Sequence, residues 1–68
     1  MSIKELCRLL GINDATVTFK ICEAGISDTD ELLEVAPNES ELFANFGISD
    51  QLHRRKIVAW MLKVRVPQ

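Results

Sequence analysis

Three side chains in this 68-residue chain could act as a nucleophile, a general base or a soft metal ligand: Cys7, Cys22 and the single histidine, His53. The two cysteines do not form a C-x-x-C pair and are not accompanied by a cluster of histidines, so the spacing does not predict a zinc site. The sequence also contains no glycine-rich phosphate loop and no nucleophile elbow. Neither these three residues nor any motif of the sequence forms a set to which catalytic roles can be assigned. We therefore expect no enzyme activity, cofactor, metal or small-molecule substrate.

Length and composition indicate a small folded domain. The chain is 47% hydrophobic, which is enough apolar side chain to form a core. Its formal net charge of −2 excludes a generally basic nucleic-acid binder. No apolar run reaches the roughly 18 residues of a membrane span, and the first residues do not read as a signal peptide. We predict one domain over residues 1–68, cytoplasmic or nuclear, with Cys7 and Cys22 as buried thiols. A disulfide between them would require Cα atoms within about 7 Å.

Charge is segregated along the chain. Between Ile21 and His53 there are eight carboxylates and no Lys or Arg; from residue 54 to the end there are five bases and no carboxylate. The carboxylates are Glu23, Asp28, Asp30, Glu31, Glu34, Glu39, Glu41 and Asp50, and the bases are Arg54, Arg55, Lys56, Lys63 and Arg65. Two faces of opposite sign on one domain are complementary, so they favour head-to-tail association.

The start of the last predicted helix carries Arg54, Arg55 and Lys56, where the positive end of the helix dipole disfavours cations. They are either a tolerated charge run or, as we interpret them, a patch kept for binding. Leu52 falls about 140° from the core face of this helix, so it is either an ordinary exposed leucine or an apolar anchor. His53 falls close to the core face, which predicts a packed, hydrogen-bonded residue at the edge of the core.

The elements that position these residues are marked by a repeated four-residue pattern. It occurs as Gly11-Ile12-Asn13-Asp14, Gly25-Ile26-Ser27-Asp28 and Gly47-Ile48-Ser49-Asp50. Glycine closes a helix in the left-handed conformation, the following isoleucine makes the apolar contact of that cap, and Asn, Ser or Asp begins the next helix. The pattern therefore predicts the corners of a compact bundle of short helices.

Helical spacing between these corners predicts five helices and an all-α, five-helix bundle. They cover residues 2–10, from 13 or 14 to 24, from 27 or 28 to 35, from about 39 to 46, and from about 50 to 64, with Pro67 marking the end. One core is predicted to contain Leu6, Leu10, Val17, Leu33, Leu42, Phe46, Ile57 and Met61. The same spacing also predicts that Leu9, Phe43, Trp60 and Val64 lie on the core-facing sides of their helices.

Residues 46–57, F-G-I-S-D-Q-L-H-R-R-K-I, resemble the "L-G-I … G-H-R-x-K-I" signature that opens the last helix of sterile alpha motif (SAM) domains. The corner at 9–12, the passage at 23–33 and the step at 41–48 are similar to the corresponding segments of that family. Leu52 stands where the family usually has glycine. The resemblance covers nearly the whole chain and implies a SAM-like protein–protein interaction module of the kind used in scaffolding and signalling.

The resemblance also implies two contact surfaces. The mid-loop face would consist of Asp28, Asp30, Glu31 and Glu34, and the end-helix face of Leu52, Arg54, Arg55 and Lys56. Charge segregation along the chain assigns the same two faces. The expected partner is another SAM-like domain, of this protein or of a different one, and we expect no membrane partner.

Nucleic-acid binding is the alternative function. Some SAM domains bind RNA hairpins through a basic patch on the fifth helix, and the three consecutive bases could serve in this way. The first two helices also resemble a bacterial helix-turn-helix, but the recognition helix would carry Lys20 as its only base. Because few phosphates could be neutralised in either case, we do not expect nucleic acid to be a partner.

Overall fold

Residues 1–65, which are the part of the chain that the computed structural model describes, form five α-helices. They are α1 (Ile3–Leu9), α2 (Ala15–Glu23), α3 (Thr29–Val35), α4 (Glu39–Ala44) and α5 (Gln51–Arg65). The predicted all-α five-helix fold is confirmed. Pro67, predicted to mark the end of the last helix, lies outside the described residues. None of the helices described here combines the length and the hydropathy that crossing a bilayer requires.

Each helix begins at a side chain that accepts hydrogen bonds from the amides of its first turn. These residues are Ser2, Asp14, Asp28, Asn38 and Asp50. Ser2 with Glu5, and Asn38 with Glu41, form reciprocal capping boxes. The amide and the hydroxyl of Ser2 hold the pKa of the Glu5 carboxyl below its ordinary value. The hydrogen bonds that the ionised Glu5 accepts from Ser2 therefore stabilise the fold above the ordinary carboxyl pKa. This stabilisation is lost as the pH falls through the lowered pKa of Glu5.

The three Gly-Ile corners close α1, α2 and α4 as predicted. Their glycines all have positive φ: 73° at Gly11, 97° at Gly25 and 75° at Gly47. After α1 and α2 the glycine amide and the isoleucine amide donate to carbonyls three and five residues back, which is the Schellman pattern. After α4 the corner is wider, because the amide of Ile48 donates to the carbonyl of Leu42, six residues back.

The isoleucines of these corners are core residues. Ile12, Ile26 and Ile48 are each exposed by 4% or less. The same short segment therefore ends one helix, contributes a side chain to the core and begins the next helix. In a chain of this size few other residues are available to fill the interior, so the isoleucines of the corners are needed for the core.

Two long-range hydrogen bonds to backbone carbonyls fix the helices relative to one another. The Thr29 amide donates to the Met1 carbonyl at 2.9 Å, which places the start of α3 against the start of α1. The Lys20 ammonium donates to the Gly47 carbonyl at 2.6 Å, which ties α2 to the corner between α4 and α5. In addition, α1 packs along α2 and α4 packs along α5.

The core is one cluster to which all five helices contribute. Its buried apolar side chains are Ile3, Leu6, Cys7, Ile12, Val17, Ile21, Ile26, Leu32, Leu42, Ile48, Ile57 and Met61. Five of the eight predicted core residues are among them. The other three, Leu10, Leu33 and Phe46, are partly buried and pack against the cluster, as does Trp60.

Four residues predicted to be inside are exposed. Leu9 lies roughly 110° from the centre of the Ile3–Leu6–Cys7 stripe, and Phe43 lies one residue, about 100°, from buried Leu42. Val64 has the correct period, but residues 62–65 of α5 are all exposed, so its last turn has no helix to pack against. Cys22 is exposed because α2 buries its Val17–Ile21 stripe instead; Cys7 is buried as predicted, and both thiols are free.

The Gly25 corner allows a test of backbone strain alone, because a Cβ at this position would meet no atom within 4 Å. A left-handed alanine costs about 1–2 kcal/mol, partly offset by about 0.5 kcal/mol from the lower entropy of the unfolded chain. We predict that Gly25→Ala lowers the free energy of unfolding by about 1 kcal/mol in urea denaturation, and that Gly25→Asn lowers it less.

Ala36 provides the reciprocal control, since it ends α3 with a φ of 49° and carries a Cβ. Ala36→Gly should leave stability unchanged or raise it. A Gly25→Ala variant as stable as the wild type would contradict the assignment of strain to this corner.

Candidate functional site

The end-helix face divides into an inward and an outward part. Arg54 points inward, and its side chain is only 13% exposed. Leu52 and Arg55 point outward, with Leu52 59% exposed, and Lys56 is half-buried. The residues were predicted as one patch because they are adjacent in sequence. On a helix, adjacent residues differ by 100°, so the turn of α5 separates them.

Arg54 holds the corner between α4 and α5. Its Nη1 donates to the carbonyl of Ile48 at 2.9 Å and to that of Ser49 at 2.8 Å. These carbonyls belong to the loop between the two helices and accept no hydrogen bond within a helix. The charged guanidinium therefore supplies the donor that these acceptors at the edge of the core need. The guanidinium of Arg54 is thus part of the fold.

Two residues of α4 complete the surroundings of Arg54. Its guanidinium carbon lies 4.9 Å from the centroid of the Phe43 ring, within the range of a cation–π contact. Its Nε lies 3.7 Å from a carboxylate oxygen of Glu39, which is close enough for charge attraction but too far for a hydrogen bond. Among the described residues this buried Nε has no hydrogen-bond partner.

The outward part of the end-helix face retains an apolar residue, Leu52, and a cation, Arg55, that has no ion-pair partner among residues 1–65. Leu52 and Arg55 differ by three positions and therefore lie on neighbouring turns of the same side of α5. The Leu52 amide donates to Asp50 at 2.8 Å, so the start of the helix that carries this pair is well anchored. Lys56 lies four positions after Leu52, about 40° away around the helix axis, and its Nζ would be 3.7 Å from a Cβ built at Gly11.

The mid-loop face shows the same division. Asp28 accepts a hydrogen bond from the Glu31 amide at 2.9 Å, and Glu31 accepts from the amide and the hydroxyl of Ser27. These two carboxylates are half-buried and organise the start of α3. Asp30 and Glu34 are exposed and lie one turn apart on α3, so they are the carboxylates free to meet a partner.

A small polar cluster joins the starts of α2 and α5. His53 lies at the edge of the core, as predicted, with its side chain 17% exposed. Its Nε2 lies 3.8 Å from an Asp50 carboxylate oxygen, too far for the hydrogen bond that was also predicted. Hydrogen bonds from the hydroxyl and the amide of Thr16 hold the pKa of Asp14 below its ordinary value, and positive charge on His53 and Lys20 acts in the same direction. Since Asp14 and Asp50 are both helix caps, this cluster serves the fold.

The sequence did not reveal the partners of Arg54. Phe43 was expected in the core and Glu39 only as part of the acidic stretch, yet both flank the Arg54 guanidinium. A signal for Phe43 was present, because two adjacent residues of a short helix cannot both face one core. Nothing comparable in the sequence distinguishes Arg54 from Arg55.

Comparisons with protein-family models, with curated proteins and with solved structures found no match to this chain. Its function is therefore inferred from the geometry and charge of the chain itself.

The corner contacts of Arg54 predict a stability difference between two neighbouring arginines. Arg54→Met removes the donor to two carbonyls and should lower the free energy of unfolding by about 1–3 kcal/mol. Arg55→Met, at an exposed position of the same helix, should change it by no more than about 0.5 kcal/mol. Urea denaturation of both variants measures this difference, and equal losses would show that Arg54 does not hold the corner.

Proposed function

We propose that this domain is a protein–protein interaction module that associates through two unlike faces, in the manner of SAM domains. One face is the exposed start of α5, with Leu52 and Arg55 at its centre and Lys56 at its rim. The other is the exposed side of α3, with Asp30 and Glu34. The observation that carries the proposal is the exposed Leu52 beside a free cation at the start of a helix.

The position of Leu52 supports an interface rather than a random surface residue. A single exposed leucine is common on soluble proteins, but this one is 59% exposed and has a free arginine one turn away. Interfaces characteristically combine a central apolar anchor with charged groups at the rim. The capping of this helix by Asp50 holds both side chains on ordered backbone, which lowers the entropic cost of binding.

Electrostatics supports the pairing with α3. Arg55 and Lys56 are cations in a chain whose net charge is −2, and the exposed carboxylates of α3 offer the opposite sign. A contact between two different faces is heterologous, so one copy can bind a second, and the second a third. Exposed charges in water give modest affinity, and we therefore expect a dissociation constant around micromolar or weaker that rises with salt.

The resemblance of residues 46–57 to the SAM signature supports the same proposal, because that family uses an end-helix face and a mid-loop face. Two features of this chain modify the expected contact. Arg54 is engaged within the fold, and Leu52 replaces a glycine, so the proposed surface is more apolar and less basic than the sequence suggests.

Self-association tests the proposal. Arg55→Glu on one face and Glu34→Lys on the other should each abolish concentration-dependent association, measured by size-exclusion chromatography with light scattering at two salt concentrations. An equimolar mixture of the two variants keeps one intact junction and should form a dimer that does not grow further.

Matched controls are available at exposed positions away from both faces. Lys4→Glu makes the same change in net charge as Arg55→Glu, and Glu23→Lys the same change as Glu34→Lys; neither should alter association. A wild type that stays monomeric at about 1 mM, or a mixture that stays monomeric while the wild type associates, would refute pairing between these faces.

Nucleic acid is the less favoured function, since Arg54 is engaged at the corner and only Arg55 and Lys56 remain for phosphates. We predict no binding to hairpin RNA or duplex DNA tighter than about 10 µM at physiological salt. Fluorescence anisotropy checks this, and sub-micromolar binding with a steep salt dependence would contradict it.

A further inference from the structure

A second surface lies further along α5 on the side that carries Leu52, where the helix meets the end of α1. Leu9 and Leu10 from α1 and its cap, and Lys56, Ala59, Trp60 and Lys63 from α5, line a groove of about 460 Å³. The α5 residues follow the spacing i, i+3, i+4 and i+7, so they form one continuous stripe along the helix. The groove runs along this stripe, and a small residue, Ala59, lies within it.

The groove has an apolar interior and basic ends. Leu9 is 65% exposed, and Leu10 and Trp60 are partly buried. Lys56 and Lys63 are seven residues apart, which places their backbones about 10.5 Å apart along the helix axis. No carboxylate lines the groove, although acidic residues outnumber basic ones 10 to 8 in the chain as a whole. Positive charge around an apolar depression favours a partner that combines apolar side chains with negative charge.

We propose that this groove binds an acidic amphipathic helix of a partner protein. Apolar side chains of such a helix would enter the depression at Ala59, between Leu9 and Trp60, and carboxylates two turns apart would meet Lys56 and Lys63. This is the helix-in-groove mode of recognition, in which anchors at i, i+3 or i+4 and i+7 supply the apolar contact. The concave shape favours a helix over a lipid surface, since a bilayer is met by protruding apolar residues.

The groove extends beyond α5. Leu9 also lines a neighbouring cavity of about 280 Å³ with Met1, Glu5 and Arg8. Met1 is 48% exposed, so the apolar surface continues from Trp60 across Leu9 to the start of the chain. Glu5 and Arg8 carry opposite charges, and the charge of Arg8 is among the influences that lower the pKa of Glu5. The extension therefore adds apolar surface to the groove and no net positive charge.

Trp60 makes binding directly observable, because it is the single tryptophan of the chain and lines the groove. The probe is a synthetic amphipathic peptide with leucine at helical spacing and glutamate along both flanks, compared with the same peptide carrying lysine in place of glutamate. The titration uses the Glu34→Lys background, whose substitution lies on α3 outside the groove, so that the association proposed above does not interfere and failure of one proposal leaves the other testable.

We expect the acidic peptide to shift Trp60 emission to shorter wavelength with saturation below about 300 µM, and the basic peptide to bind at least tenfold more weakly. Ala59→Leu, which fills the groove without a change of charge, should weaken binding at least tenfold. Lys63→Glu should weaken it at least fivefold. The same substitutions at exposed positions outside the groove, Ala44→Leu and Lys4→Glu, should leave it within twofold.

Three results would overturn the proposal. They are equal binding of the acidic and the basic peptide, no effect of Ala59→Leu, and no saturation by about 1 mM acidic peptide. A further titration replaces the peptide with vesicles of anionic phosphatidylserine. A shift of Trp60 emission by vesicles but not by the acidic peptide would assign the surface to membrane contact instead.

Discussion

Satisfaction of backbone groups at the helix ends is the constraint on which this structure depends. Four of the five helices have nine residues or fewer, which is too short for an isolated helix to be stable in water. In helices of this length, most amides and carbonyls belong to an end and have no partner within the helix. The structure solves this at three of its four corners with the same means: a left-handed glycine, a buried isoleucine and a capping side chain at the next helix. At the fourth, a left-handed Ala36 ends α3 and Asn38 caps α4.

The demand for caps decides which charges are free for function. Acidic residues are numerous between α2 and α5, but Asp14, Asp28, Asp50 and the capping-box glutamates accept bonds from backbone amides. On the basic side, Arg54 satisfies carbonyls of the last corner. The two faces proposed for association consist of the exposed side chains that do not take part in helix caps or in the corner of Arg54. They are smaller than the segregation of charge along the chain suggests.

The longest helix connects the two proposed surfaces. The start of α5 carries Leu52 and Arg55, and the following turns carry Ala59, Trp60 and Lys63 on the side of Leu52. Lys56 lies between them and lines the groove. Because α5 is a single rigid element packed on the core through Ile57 and Met61, both surfaces are held in a constant relation to each other. An occupied groove would thus lie next to an occupied end-helix face, and the two partners would share Lys56.

The sequence by itself determined the number of helices, the corners between them and nearly all of the caps, because these depend on local rules: glycine for positive φ, Asp, Asn or Ser for the first amides, and a 3.6-residue period for the core. Only the tertiary structure decided the roles of individual side chains. Which of two adjacent arginines holds a corner, whether Leu9 or Phe43 is covered, and whether Val64 reaches the core all depend on which neighbouring helix lies opposite. Residues distant in sequence, such as Leu9 and Trp60, became one surface through the packing of α1 and α5, which no local pattern records.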